Sequence, residues 1–391
     1  MVIFTTIILD AVGIGLIFPI LPSLLREVTH AQEIASHMGV MIALYATMQF
    51  IFAPVLGALS DKLGRRPVLL ISLAGSVVNY LFLAFAPSLW MLLLGRAIAG
   101  LTGANVSVAA AYITDISPQD RRARRFGLLN AMFGIGFIIG PVLGGVLGDH
   151  WLRLPFIVAA LLNAGNLAMA FTILPESRGP GAGKIDLAAL NPLRPLRWAL
   201  SMKPLLPIIL VFFIFSATGE AYGVCWALWG GDSFHWNGFW IGLSLGAFGV
   251  CQTLAQILLP GLAVRLLGER RAVLTGVAGV CVALTIMAFI TQGWMVFAIM
   301  PLFALGSIGT PALQSLASCQ VDEAEQGKFQ GVLASAVSLA SILAPLGFSS
   351  VYLSVRWQWP GAVWLCVVAL YIVGALLVLG LRFKGPERAG A

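Results

Sequence analysis

About twelve apolar runs, each near the roughly 20 residues a helix needs to cross a bilayer, leave this chain few ways to fold. Inside hydrocarbon, every backbone N–H and C=O must find its partner within a helix or a closed barrel. Runs of this length therefore become helices, and the short polar turns between them make neighbours antiparallel. They read as 2–25, 39–59, 68–87, 90–114, 125–148 and 154–174, then 205–228, 238–263, 272–291, 294–317, 328–353 and 360–382. With 59% of residues hydrophobic and 10% charged, the chain has too little polar surface for a soluble domain. Many glycines and prolines fall inside the runs, which membrane helices tolerate better than soluble ones. The expected fold class is an all-α membrane protein, with twelve transmembrane helices in two pseudo-symmetric six-helix bundles.

The division into bundles rests on an internal repeat. Gly57-Ala58-Leu59-Ser60-Asp61-Lys62-Leu63-Gly64-Arg65-Arg66-Pro67 stands 204 residues before Gly261-Leu262-Ala263-Val264-Arg265-Leu266-Leu267-Gly268-Glu269-Arg270-Arg271. Trp90 and Trp294, Phe126-Gly127 and Gln330-Gly331, and Gly140-Pro141 and Ala344-Pro345 keep the same spacing. A common spacing without relative insertion marks a duplicated unit, the plan of transporters built from parallel repeats. Bundles are expected at 1–175 and 205–391, joined by a polar linker at 176–204. The Leu, Arg and Trp mixture at 190–198 either lies along the membrane surface or serves as a plain tether.

Charge gives the orientation. Of the 23 Lys and Arg, 19 fall in the turns after even-numbered spans, in the linker or in the C-terminal tail. The other side holds Arg26, Arg153 and Arg356, and Arg96 lies within a span. By the positive-inside rule both termini are cytoplasmic. The net charge of +7 thus reports topology, and no nucleic-acid partner is expected. The first run continues past Asp10 without a small-residue cleavage site, so it reads as a retained span. Cys225, Cys251, Cys281, Cys319 and Cys366 are scattered singly. His30, His37, His150 and His235 fall toward the outward loops, so no metal site and no cofactor are expected.

Ionisable residues within spans are costly and mark function. Asp10 lies about eight positions into the first run, roughly 12 Å from its start. Glu220 is the second deep acid, also on the first span of its half. Both are read as proton-coupling groups facing a watery cavity or a partner, with a gate near the outside as the other reading for Glu220. Arg96, in Leu94-Gly95-Arg96-Ala97-Ile98-Ala99-Gly100-Leu101-Thr102-Gly103, either tunes a nearby acid or snorkels to the headgroups. Gln49, Asn79, Asn105, Gln252, Gln256 and Gln314 are the candidate substrate-cavity residues. Gln252 and Gln256, four apart, share one helix face.

Two glycine-bearing stretches complete the set. The turn at 57–67 carries Asp61, Arg65 and Arg66, a candidate cytoplasmic gate together with Asp115, which is expected to meet the arginines at 121–125. The fifth run sets Gly136, Gly140, Pro141, Gly144 and Gly145 along a smooth face suited to close packing and bending, a candidate hinge.

These stretches resemble the signature motifs of the major facilitator superfamily: the loop between spans two and three, the arginine motif of span four and the antiporter motif of span five. Leu9-Asp10-Ala11-Val12-Gly13-Ile14-Gly15-Leu16, Ala43-Leu44-Tyr45-Ala46-Thr47-Met48-Gln49, Arg65-Arg66-Pro67-Val68-Leu69-Leu70 and Pro311-Ala312-Leu313-Gln314 are similar to the tetracycline/proton antiporters of Gram-negative bacteria. The resemblance implies alternating access, and efflux of a drug-like amphiphile, tetracycline foremost, driven by inward proton flow across the bacterial inner membrane. It also implies a transporter rather than an enzyme, with protons, a small molecule and membrane lipid as partners, expected to work as a monomer. Where that family carries acids in spans three and nine, this chain has Asn79 and Val280. Where it has a histidine in span eight and a glutamine in span seven, this chain has Gln252 and Glu220. Arg265 stands at the position matching Asp61. On the residues alone, a facilitator or symporter for a small metabolite and a non-transporting membrane sensor remain open alternatives.

Overall fold

With no water in the bilayer core to satisfy it, the backbone closes its hydrogen bonds along each apolar run, and the runs become helices. A computed structural model describes residues 2–31, 33–179, 191, 205–318, 320–321 and 325–381. Of the expected linker, 180–190 and 192–204 lie outside the described residues, as do Cys319 and the basic tail Arg382, Lys384 and Arg388.

Among the described residues eleven helices are long and apolar enough to span a membrane, and a bent pair supplies the twelfth. Span 1 is that pair, Val2–Ile17 and Leu21–Thr29, set at 51°. Spans 2 to 6 are Ala35–Leu63, Arg65–Phe85, the broken Leu89–Thr102 with Asn105–Ile116, Arg122–His150 and Leu154–Ile173. Spans 7 to 9 are Leu206–Phe234, Gly238–Leu267 and Glu269–Phe289. Span 10 is broken by a 3-10 turn into Gly293–Ala304 and Gly309–Ser318, and spans 11 and 12 are Gln326–Val355 and Ala362–Gly380.

Three differences from the sequence reading have physical causes. The stretch 57–67 is not a long turn: span 2 continues through Asp61 to Leu63, and the reversal falls on Gly64 alone, at φ 103°. Its repeat mate Gly268 does the same at φ 77°. Glycine adopts that backbone without a Cβ clash, so one residue suffices to turn the chain. Span 4 is interrupted at Gly103-Ala104, which leaves the Gly103 carbonyl free to accept from a side chain. His37 lies within the first turns of span 2 rather than on a loop.

Small residues set how the spans meet. Span 5 lies against span 1 through Gly136, Gly140 and Gly144, where an added Cβ would approach the carbonyls of Ile8, Val12 and Leu16 at 2.6, 2.7 and 2.4 Å. The same helix meets span 8 of the other bundle. There Gly145 faces Gly238, Gly242 faces Pro141, Gly246 faces Val142 and Gly249 faces Ile138. Span 8 thus carries a ridge of glycines at three- and four-residue spacing, which lets two helices of different bundles approach closely. Gly39 of span 2 makes the matching contact with Pro345 and Ser349 of span 11.

The bonds joining the bundles cluster on the face away from the basic turns. Both carboxylate oxygens of Asp149 accept from the backbone N–H groups of Gly238 and Phe239, at 3.0 and 3.1 Å, where span 8 begins. Negative charge at a helix N-terminus is favourable. On the same face Trp357 donates to Glu33 at 3.3 Å, and Arg26 stands 3.8 Å from Asp232. Asp232 in turn accepts from Tyr352 at 2.7 Å and Arg356 at 3.2 Å. Toward the basic face span 8 leaves Ile257, Leu258 and Leu266 exposed.

The close approaches yield a test. Gly144→Val and Gly242→Val should each lower the stability of the detergent-purified protein by about 1–3 kcal/mol, the usual cost of overpacking. Gly134→Ala, which opens on free space, should leave thermal unfolding unchanged.

Candidate functional site

Asp10 sits on span 1 inside the first bundle, only 4% exposed. The break in span 4 brings Asn105 to it, and the Asn105 amide Nδ2 donates to Asp10 Oδ1 at 2.8 Å. Gln49 of span 2 secures the break itself by donating to the Gly103 carbonyl at 2.9 Å, with the Tyr45 hydroxyl 3.3 Å away. Arg96 lies with its guanidinium 4.6 Å from the centre of the Tyr45 ring, a cation–π contact. No ion pair joins Arg96 to a carboxylate among the described residues. The deep acid is therefore held by a neutral amide, with the cation set apart on an aromatic face.

Glu220 repeats this logic in the second bundle. It is half-buried on span 7, beside exposed Gly219, and its Oε1 accepts from the Ser341 hydroxyl of span 11 at 2.6 Å. Neither acid has a basic partner among the described residues, so protonation of either breaks no salt bridge seen there.

The remaining polar residues separate into two groups. Gln252 is half-buried and Gln256 and Gln314 are exposed, on spans 8 and 10. Asn79 and Asn105 are buried within the first bundle instead of lining open space. Asn79 Oδ1 points at Gly95, where spans 3 and 4 touch. Val280 is buried against Gly306 at the break of span 10, so an apolar side chain fills the place.

The charged cluster at the basic face assembles around Arg65, whose side chain is only 8% exposed. It meets Asp61 at 2.8 Å and Asp115 at 2.9 Å and donates to Ser60 at 3.0 Å. Asp115 thus pairs with Arg65, not with the arginines at 121–125. Arg125 is engaged with the Ile116 carbonyl and Ser117 Oγ, both at 3.0 Å, and Arg122 with the Ser117 carbonyl. Arg66 donates to the Phe171 carbonyl at the end of span 6. In the second copy, Arg270 likewise donates to the Leu379 carbonyl at the end of span 12.

Sequence reasoning missed Glu176 and Arg178. Glu176 accepts from the backbone N–H groups of Arg65 and Arg66 at 2.8 and 3.1 Å, capping span 3 from the far end of the bundle. Arg178 meets Asp61 at 3.1 Å. A cap supplied from 111 residues away leaves no local signature. Asn163 and Asn166 of span 6, both fully buried, were also missed. Their spacing on an apolar helix was the available signal.

The model of the Major Facilitator Superfamily matches twice, over residues 3–229 and 208–391. The class C tetracycline resistance protein of Escherichia coli is 47% identical over 95% of this chain and 94% of its own length. The class G protein of Vibrio anguillarum is 44% identical over 93% of both. Among solved structures, the nucleoside transporter NupG superposes with a TM-score of 0.81 at 13% identity, over 97% of this chain and 98% of that one, a likeness of fold. The chain belongs to the Major Facilitator Superfamily, and is a multi-pass membrane transporter rather than an enzyme. Within that superfamily it falls among the drug/proton antiporters of the tetracycline-resistance type.

The cluster predicts unequal costs. Asp115, 21% exposed, holds a buried guanidinium, and Asp115→Asn should cost about 1–3 kcal/mol in thermal unfolding. Asp61 is 58% exposed, and Asp61→Asn should cost less than about 1 kcal/mol.

Proposed function

We propose that the chain exports tetracycline across a bacterial inner membrane in exchange for protons, by alternating access of its two bundles. The observation that carries this reading is the environment of the two deep acids. Asp10 and Glu220 each lie on the first span of a bundle, and each accepts a hydrogen bond from a neutral donor. A carboxylate locked to an arginine resists protonation, whereas one held by an amide or hydroxyl exchanges its proton without uncovering a buried cation. Both acids are thus free to couple drug release to proton uptake. The many relatives named for tetracycline resistance, 38–47% identical over nearly the whole chain, support that substrate.

In this reading the basic face is cytoplasmic, as the charge bias requires. Bundles closed at the opposite face then correspond to an inward-open state. Drug enters from the cytoplasmic leaflet or cytosol, contacting Gln252, Gln256 and Gln314. Gln49, Asn105 and Arg96 set the state of Asp10, and Asn79 fixes spans 3 and 4. Asp61, Arg65, Arg66 and Asp115 brace the cytoplasmic gate. Span 5, the helix common to the span 1 contact and the span 8 contact, is the pivot, with Gly136, Gly140, Pro141, Gly144 and Gly145 as its bearing surface. The bundles are 1–175 and 205–391 with a linker at 176–204, and the unit works as a monomer.

Everted membrane vesicles test this directly. Wild type should accumulate tetracycline on energisation and release protons when drug is added. Asp10→Asn should abolish both, and Asp10→Glu should keep a reduced rate. Undiminished drug-driven proton release by Asp10→Asn would exclude Asp10 from coupling. Energised vesicles that ignore tetracycline but respond to another amphiphile would reassign the substrate.

A further inference from the structure

We propose that the first bundle holds an internal hydration site beside Asp10, built by Thr6, Asn105, Asn163 and Asn166, and that protons reach the carboxylate through it rather than through the drug cavity. The inference rests on the reading of Asp10 as a coupling acid.

Thr6, Asp10 and Gly13 recur at four and three residues on span 1, so they share one face. Span 6 runs antiparallel against that face. Asn166 Nδ2 donates to the Thr6 carbonyl at 3.1 Å, and a Cβ at Gly13 would lie 2.7 Å from both Asn163 Nδ2 and the Tyr80 hydroxyl. Asp10 lies between these two contacts, with Asn105 of span 4 bonded to it from the side. Thr6, Asn163 and Asn166 are 0% exposed and Asn105 is 7% exposed, so the group is closed off from the central space.

The amide nitrogens of these side chains make bonds, and their oxygens are left without one. Each amide nitrogen donates one hydrogen bond: Asn105 to Asp10, Asn163 to the Ala159 carbonyl and Asn166 to the Thr6 carbonyl. Asn105 Oδ1, Asn163 Oδ1, Asn166 Oδ1 and Thr6 Oγ1 are buried without a partner among the described residues. Buried polar atoms are almost always satisfied, by protein or by ordered water. Unpartnered buried oxygens beside a carboxylate call for a small hydrogen-bonding molecule, and water is the one that serves both donors and acceptors. A buried water with two to four polar partners is an ordinary component of protein interiors.

The titratable groups around Asp10 are few. Span 3 presents Tyr80, span 2 presents Tyr45 and span 4 presents Arg96. The segments of spans 5 and 6 packed on span 1 carry no ionisable residue. The polar groups on the span 6 side of the acid are therefore the uncharged Asn163 and Asn166, and with Thr6 and Asn105 they act as positioning residues for proton exchange.

The test follows Asp10 itself and needs no drug. In purified protein, the carboxylic acid C=O stretch that Asp10→Asn abolishes is followed after a pH jump. Asn163→Leu and Asn166→Leu keep the branched heavy-atom skeleton and remove the polar groups, and each should slow proton exchange roughly tenfold, the effect of one lost hydrogen bond in the path. Thr6→Val is a milder change for use where a leucine variant does not fold, and it should slow exchange in the same direction. Asn163→Ser should restore most of the rate. A purely structural role would lower the melting temperature and leave exchange in the folded protein at the wild-type rate. Wild-type exchange in a folded Asn163→Leu, Asn166→Leu or Thr6→Val protein overturns the site, as does exchange that follows sodium concentration instead of pH. If Asp10→Asn still couples drug to protons in vesicles, the coupling reading fails. If it does not, while the acceptor variants exchange normally, only the hydration site fails.

Discussion

A carboxylate sealed in hydrocarbon must have a partner, and this protein gives Asp10 an amide where a guanidinium is within the same bundle. An ion pair would have held the acid permanently charged, because separating two buried charges is among the costliest steps available to a side chain. The 2.8 Å bond from Asn105 stabilises the anion and makes no such demand when a proton arrives. Arg96 contributes its charge at a distance from over the Tyr45 ring. The break in span 4 follows from this arrangement. It starts a new helix at Asn105, and Gln49 takes up the carbonyl that the break sets free.

The mechanical parts are organised around the same first span. Span 5 meets it through glycines on one side and meets span 8 at a glycine-lined contact on the other, so one helix packs closely against both the acid-bearing span and the second bundle. Packed interfaces of this kind have discrete arrangements and do not deform smoothly, which suits a two-state carrier. The two copies of the repeat have kept their geometry and exchanged their charges. Gly64 and Gly268 turn the chain alike, and Arg66 and Arg270 reach corresponding carbonyls. Yet Asp61 and Arg65 in the first copy correspond to Arg265 and Glu269 in the second. Among the described residues only the first copy gathers a three-way charge cluster, centred on the buried Arg65, with Glu269 bonded instead to Ser315.

Most of the architecture was legible because it depends on local and periodic features. Long apolar runs, the 204-residue repeat and the motif glycines sufficed for twelve spans in two bundles. Asp10 and Glu220 stood out because acids are rare in hydrocarbon. The glycine ridge of span 8 was on view at 238, 242, 246 and 249, but its meaning depends on which helix faces it. Asp115 was assigned to the nearest arginines in sequence, while the fold offered Arg65 at 2.9 Å.

Hydropathy, spacing and the cost of burying charge were enough for the class of fold, the membrane setting, the duplicated plan and the identity of the two deep acids. Which residue meets which came from the packing of the helices. Asn105 bonded to Asp10, Ser341 to Glu220, Glu176 capping span 3 and Asn163 and Asn166 facing span 1 join residues 95, 121, about 111 and about 160 positions apart. No propensity or period spans such distances. Those pairings arise from how helices cross, and that is settled by the shapes of small residues at their contacts.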